Sequence, residues 1–402
     1  APVNPLYLYP HLGGDGRGIH STMEQPLKVL MISSDRGVLS PGSTVSERMK
    51  DYGALVGELH IVLLCDASHR LTATQIGTNV WVYPTNSSIN ILRPLDAAGI
   101  GKRIVKEKSF VRGASLITAQ DPFECGWAAL RIKKKWRLPI EVQLHTDPFS
   151  PYFSGFQNRV RKFFATSVLA AADGVRVVSG ELQGKIAPFT KAPISVLPIY
   201  VNREKIENAR LSFDVHARYP GHFIVLTVSR LSPEKDLDTA IQAMALVRQR
   251  VPDIGLLIVG SGSEEGRLKA LVKKLNLESG VQFVGWQDDL TSFYRTANAF
   301  LQTSLFEGYG LSLVEAGLSL LPVITTPVGI AKELEHGKDA LIVPPQRPDL
   351  ISDAIVDLAE HNQMRENLRL NLSQTLASKL LSQEKYLETL RGGWEKIARF
   401  AL

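Results

Sequence analysis

Glu307 and Glu315 lie eight residues apart in the stretch Phe306-Glu307-Gly308-Tyr309-Gly310-Leu311-Ser312-Leu313-Val314-Glu315-Ala316. The run Ala299 to Ser304 before them reads as a buried strand, and Leu311 to Leu318 places apolar residues at helical spacing. Gly308 and Gly310 let the backbone between them turn sharply and approach a ligand closely. Free N–H groups at the helix start suit a phosphate or sugar oxygen. Side chains on a helix lean toward its N-terminus, so Glu315, about one turn in, reaches back toward the space beside Glu307. Two acceptors and a ring of amide donors suit a hydroxyl-rich, phosphorylated ligand. The blander alternative is a capping carboxylate at a helix start, where negative charge is favoured in any case.

Other candidates carry the same double reading. Arg230 and Lys235 are two cations on one predicted loop. A solvated surface pair is the default, yet a diphosphate needs at least two positive groups, Arg gripping it bidentately and Lys adding a point charge. Gly260 and Gly262 follow a strand and are a weak signal alone. Trp286, in Val284-Gly285-Trp286, is either a wall beside a base or a core tryptophan. His145 ends an apolar strand, where a satisfied structural histidine is usual. Asp121 ends another, either facing an acceptor or capping a helix that starts at Pro122. Asp288-Asp289 reads as the N-cap of a Leu290–Thr296 helix rather than as a metal site.

The elements that must position these residues alternate short apolar strands with helical patterns, which predicts parallel sheets wrapped by helices, an α/β class. One series comprises Lys28–Ser33, Leu59–Leu64, Val80–Tyr83, Leu116–Ala119, Ile140–Leu144 and Val175–Val178. After a break near Leu197-Pro198 and a surface loop over Ala209–Pro220, a second comprises Phe223–Val228, Leu256–Val259, Val281–Val284, Phe300–Gln302, Val323–Thr325 and Leu341–Val343. Two doubly wound, Rossmann-like domains across a cleft follow, with boundaries at 27–198 and 199–382 and a final helical segment, 383–402, crossing back to the first domain. Such sheets deliver ligand-binding residues at strand carboxyl ends. Arg230, Gly260, Trp286, Glu307 and His145 all fall just past one.

The Glu307–Glu315 stretch resembles the Glu-x7-Glu signature of retaining GT-B glycosyltransferases, in particular family GT4. Val228-Ser229-Arg230-Leu231-Ser232-Pro233-Glu234-Lys235-Asp236 is similar to that family's G-R-L-x-x-x-K-G segment, with Ser229 and Asp236 where glycines are usual. Leu257 to Gly262, Pro322 to Thr326 with Val328-Gly329-Ile330, Gly337 to Pro345 and Gln143-Leu144-His145-Thr146-Asp147 extend the likeness over most of residues 27–400. The resemblance implies the GT-B fold and transfer, with retained configuration, of a sugar from a UDP- or GDP-sugar to a hydroxyl acceptor, with no metal or other cofactor. It implies that Arg230 and Lys235 hold the donor diphosphate and that Glu315 accepts from the ribose. Glu307 then contacts the donor sugar with the amides of Tyr309, Gly310 and Leu311, and His145 faces the reaction centre. Gly42, at the start of a helix, is its match to the donor-phosphate loop, although Asp35–Thr44 lacks the usual paired glycines. A catalytically silent nucleotide-sugar-binding protein and a GT-B epimerase are the rival readings; a phosphorylase would need a pyridoxal-binding lysine context that is not found.

Composition sets bounds. The 402 residues suffice for about two domains, each with its own core. No apolar run approaches the roughly 18 residues of a membrane span. Cys65 and Cys125 give neither a disulfide framework nor a metal site and fit a reducing cytoplasm. Residues 1–26, rich in Gly, Pro, Tyr and His, lack the basic start and apolar middle of a secretory signal and read as an extension, with Met23 a candidate start. The net charge of +6 is unevenly spread, with basic, aromatic stretches at Arg131–Arg137 and Arg159–Phe164 on predicted helices. A solvated face is the default for both; the alternative is attraction to an anionic bilayer, which suits a lipid-linked acceptor. Nothing points to nucleic acid.

Overall fold

The computed structural model describes residues 26–151, 156–219 and 221–399; the N-terminal extension, apart from Pro26, lies outside them, as do residues 400–402. Short runs of Val, Ile and Leu form two sheets. The first contains β1 (Lys28–Ser33), β2 (Glu58–Leu63), β3 (Thr74–Gly77), β4 (Val80–Pro84), β5 (Ser115–Ala119), β6 (Ile140–Leu144), β7 (Gly174–Val177) and β8 (Ile194–Val196), in the order β3-β4-β2-β1-β5-β6-β7-β8. All neighbours are parallel except the β3–β4 edge pair. The second contains β9 (Phe223–Val228), β10 (Ile254–Val259), β11 (Val281–Gly285), β12 (Ala299–Gln302), β13 (Val323–Thr325) and β14 (Leu341–Ile342), in the order β11-β10-β9-β12-β13-β14 and wholly parallel. Central strands such as β5 and β10 are buried along their whole length, because helices cover both faces. This is the two-domain, Rossmann-like architecture of the GT-B fold.

Two strands escape the sequence reading. β3 is short, polar and half open to solvent, and β8 has two exposed residues of three, so neither shows an apolar run. The Ala209–Pro220 segment is not simply surface. Val215 is buried, Phe213 packs edge-on against Phe293, and the amides of Ser212 and Val215 donate to Ser292 and Thr296.

In the first domain, α1 (Thr44–Ala54) lies on one face of the sheet. On the other, α2 (Arg93–Glu107) packs against α3 (Glu124–Trp136), and α3 against α4 (Phe156–Ala171). The Gln383–Arg399 helix returns to the α1 face, placing Tyr386, Leu390 and Trp394 among Val29, Met31, Leu59 and Leu116. It is held there by buried polar contacts. Trp394 Nε1 donates to Glu141 at 3.0 Å, Thr118 Oγ1 donates to the same carboxylate at 2.8 Å, and Arg176 lies 3.4 Å from it.

In each sheet the chain runs outward from a central strand, then restarts on its other side. The restart falls between β9 and β12 in the second domain and between β1 and β5 in the first. Loops leaving two such strands diverge and open a crevice at their carboxyl ends.

Candidate functional site

The loop after β9 carries Arg230 and Lys235; the loop after β12 carries Glu307. Two hydrogen bonds tie the loops together, Leu305 N–H donating to the Glu234 carbonyl (2.8 Å) and the Thr303 hydroxyl to the Lys235 carbonyl (2.9 Å). The result is a largely buried ion pair at the crevice. Lys235 Nζ lies 2.7 Å from Glu307 Oε1, with side chains 14% and 12% exposed, and Ser304 Oγ donates to the same oxygen at 2.7 Å. Arg230 behaves differently. Its side chain is 79% exposed, and among the described residues its ion pair is with Glu234, at 3.4 Å, whose carboxylate also accepts from Ser232.

Asp236 follows Lys235 with φ +47°, the left-handed region that favours glycine. Its carboxylate accepts from Thr239 Oγ1 at 2.7 Å. The backbone shape thus explains a glycine at this position elsewhere, and the short polar side chain explains how aspartate fits here.

Gly308 follows Glu307 at the point where the two domains meet. A Cβ there would lie 1.8 Å from the His145 carbonyl oxygen, so only glycine allows the contact. Gly310, at φ +95°, turns the chain into the Leu311–Leu318 helix, whose first N–H groups have no intrahelical partner. Tyr309 is buried, its phenol pushed up to about 12 by burial and by Glu333. Glu315, in the second turn of that helix, accepts from Tyr294 Oη at 3.1 Å. Burial raises its pKa, and the Tyr294 bond opposes that rise.

His145 follows β6 directly. The residue is exposed, yet desolvation by the surrounding protein, with the nearby charges of Arg176 and Arg48, pushes its pKa down to about 4. Between the domains lies a cavity of about 280 Å³ lined by Asp147, Glu181, Lys185, Phe306, Glu307 and Lys332 among others. Lys332 reaches across to Glu181 at 2.8 Å, and Lys185 bridges Glu181 (2.9 Å) and Asp147 (3.6 Å). Burial works against the Glu181 carboxylate, but the two lysines hold it below the usual range.

The remaining candidates divide. Asp121 accepts from the amides of Phe123 (2.7 Å) and Cys125 (3.2 Å), a capping use, and burial raises its pKa. The helix it serves begins at Glu124, not at Pro122. Asp289 accepts from Ser292 at the start of the Thr291–Thr296 helix, one residue later than expected. Trp286 is 73% exposed, so the core reading is wrong; its indole donates to Asp288 at 3.4 Å. Gly260 and Gly262 pack directly on the loop after β9, where a Cβ would lie 1.9 Å from the Ser229 carbonyl oxygen or 2.2 Å from that of Leu231. Gly42 lies exposed just before α1, which Ser43 caps by accepting from Ser46. Only Glu307 of the expected residues lines the interdomain cavity. Tyr294, Ser304, Glu181, Lys185 and Lys332 escaped the sequence reading; Asp147 alone had a signal, two residues after His145 in the same strand-end segment.

Residues 209–374 match the family model described as Glycosyl transferases group 1. A UDP-N-acetylglucosamine–peptide N-acetylglucosaminyltransferase GtfA subunit of Streptococcus pneumoniae is 29% identical over 221 residues, 54% of this chain and 39% of that protein. The chain therefore spans well under two thirds of the length of that relative. An uncharacterized glycosyltransferase of Methanocaldococcus jannaschii is 24% identical over 76% of this chain and 80% of its own length. Among solved structures, a sucrose-phosphate synthase from Thermosynechococcus elongatus superposes with a TM-score of 0.76 at 20% identity, covering 92% of this chain and 99% of that one. Anabaena HepE, in complex with UDP and glucose, gives 0.70 at 20% identity, over 91% and 98%.

Proposed function

We propose, from the premise that residues 209–374 are a domain of the glycosyl transferases group 1 family set within a GT-B fold, that this protein is a retaining, GT4-like glycosyltransferase. It moves a sugar from a nucleotide-diphosphate sugar to a hydroxyl acceptor. The observation that carries the reading is the Lys235–Glu307 pair at one strand switch, with the exposed Arg230 on the same loop as Lys235 and the His145 carbonyl packed against Gly308.

Transfer breaks the bond from the anomeric carbon to the diphosphate oxygen and forms one from the acceptor oxygen to the same carbon; the acceptor's proton leaves with the nucleotide. The leaving diphosphate gains negative charge, and Arg230 and Lys235 are placed to stabilise it. Arg230 is free to swing onto a phosphate. Lys235 neutralises Glu307 while no donor is present; a diphosphate competes for its charge and releases the carboxylate toward the sugar hydroxyls. Glu315, oriented by Tyr294, accepts from the ribose. Amides of Tyr309, Gly310 and Leu311 hold the remaining sugar oxygens, and His145, neutral at physiological pH, faces the transferred sugar. The polar cavity around Asp147, Glu181 and Lys185 receives the acceptor. HepE is seen in complex with UDP and glucose and pneumococcal GtfA with UDP and GlcNAc, which favours a uridine donor here.

The test is nucleotide release from a panel of UDP- and GDP-sugars, which needs no acceptor, followed by NMR of the product's anomeric configuration. Release from at least one donor and a retained anomer are expected. Absence of both binding and release across the panel refutes the reading.

A further inference from the structure

Charge is concentrated on one layer of the first domain. Helices α2, α3 and α4 hold eleven Lys and Arg against three Asp and Glu, an excess of +8 in a chain whose total is +6, leaving −2 for everything else. Part of that charge is spent internally. Lys133 donates to the Ala171 carbonyl (2.9 Å) and to Asp173 (2.5 Å), Arg161 pairs with Glu124 (2.8 Å), and Lys162 donates to the Ser150 carbonyl (3.2 Å). The three consecutive lysines 133–135 are therefore not one surface feature.

Lys102, Arg131, Lys134 and Lys135 are not so engaged. With Trp127 and Leu130 they line a cavity of about 350 Å³ between α2 and α3 that includes no carboxylate, and no ion pair to any of the four exists among the described residues. The Arg131 guanidinium lies 4.7 Å over the Trp127 ring. From Trp127 an aromatic row runs onto α4, through Phe164 (6.1 Å) to Phe163 (a further 6.1 Å). Phe163 is 70% exposed and Val160, one turn before it, 39%.

We propose that this face, the basic cavity of α2 and α3 with the aromatic edge of α4, docks onto an anionic lipid bilayer. An unpaired cationic pocket of this size accepts a lipid phosphate, and a large apolar ring standing out beside it has a favourable place at the acyl boundary. A soluble polyanion would be drawn by the same cations but would leave Phe163 and Val160 in water. The inference does not depend on sugar transfer.

The test is co-sedimentation of the full chain with vesicles of phosphatidylcholine alone, and of phosphatidylcholine with about a third phosphatidylglycerol. Recovery is expected only with the anionic vesicles, and it should fall as salt rises and the Debye length shrinks. Replacing Lys134 and Lys135 by Glu should lower vesicle affinity at least about thirtyfold, from about 1 kcal/mol per basic residue lost, with further loss from the reversal. Phe163→Ser should lower it with little change in salt dependence. Thermal melting and UDP affinity, measured on the same samples, should be unchanged in both, so folding and the nucleotide reading are scored separately. Equal recovery on neutral vesicles overturns the proposal, as does full binding by the Lys134→Glu/Lys135→Glu variant. Heparin binding as tight as vesicle binding, with Phe163→Ser indistinguishable from the parent, also overturns it in favour of a soluble polyanion.

Discussion

Replacing Lys235 by Met separates the structural from the catalytic role of the pair it forms with Glu307. Methionine keeps much of the apolar stem and removes the charge. The carboxylate then stays only 12% exposed, with Ser304 as its remaining partner. At 2.7 Å and an effective dielectric of about 20, the lost attraction is about 6 kcal/mol gross, most of it offset by the cost of drying two ions. Stranding one buried partner costs about 3–5 kcal/mol when burial is complete. The residual exposure and the Ser304 bond lower that to about 2–3 kcal/mol here. Adding Glu307→Gln removes the stranded charge, so the double variant should recover to within about 1 kcal/mol of the parent. Activity should not follow. Loss of one charge-stabilising group costs about 2–4 kcal/mol in the transition state, a fall of about 30- to 1,000-fold in donor turnover. Denaturant midpoints and nucleotide release from the donor, measured on all four proteins of the cycle, decide the matter. Parental stability in Lys235→Met refutes the buried-pair argument, and parental turnover in the double variant refutes the diphosphate role.

Three further outcomes follow from the same geometry. Glu315→Gln should weaken binding of the bare nucleotide, whereas Glu307→Gln should spare it and impair transfer. Because burial raises the Glu315 pKa, parental nucleotide affinity should begin to fall at higher pH than for an ordinary glutamate, which calorimetry at stepped pH reads directly. The His145 imidazole, with its pKa lowered to about 4, takes up its proton later than the unfolded chain does as pH falls. The folded state therefore loses stability between about pH 6.5 and pH 4, and the His145 NMR titration should show a midpoint near 4 rather than 6.5. Glu141→Leu should strand the buried Arg176 guanidinium and release Trp394 Nε1, costing about 3–5 kcal/mol and loosening the Gln383–Arg399 helix, as hydrogen exchange across Tyr386 to Trp394 would show.

Much of the fold was legible because parallel strands buried on both faces are continuous apolar runs. Ile140–Leu144, Phe223–Val228 and Val323–Thr325 fall where their sequence places them. β3 and β8 were not legible, since edge strands half open to water need no apolar pattern. The candidate site divides in the same way. Its strand-end residues were readable from the glycine turns and periodicity around them. Tyr294, Glu181 and Lys332 were not, because each acts through a partner distant in sequence: 21 residues for Tyr294 with Glu315, and a reach across the cleft for Lys332 with Glu181.

The sequence alone determined which residues end strands, where the Leu311–Leu318 helix begins, and that Gly308 and Gly310 free the chain between Glu307 and that helix. These are local consequences of hydrophobic period and of the absent glycine Cβ. Tertiary structure alone decided what each charge faces. Lys235 meets Glu307 because β9 and β12 are sheet neighbours, although 72 residues separate the pair. Lys133 turns inward to Asp173 while Lys134, the next residue, stays outward, because successive helical residues point about 100° apart and only one direction meets the neighbouring element. Which charges cancel is fixed by distance and burial, and both arise only when elements remote in sequence pack together.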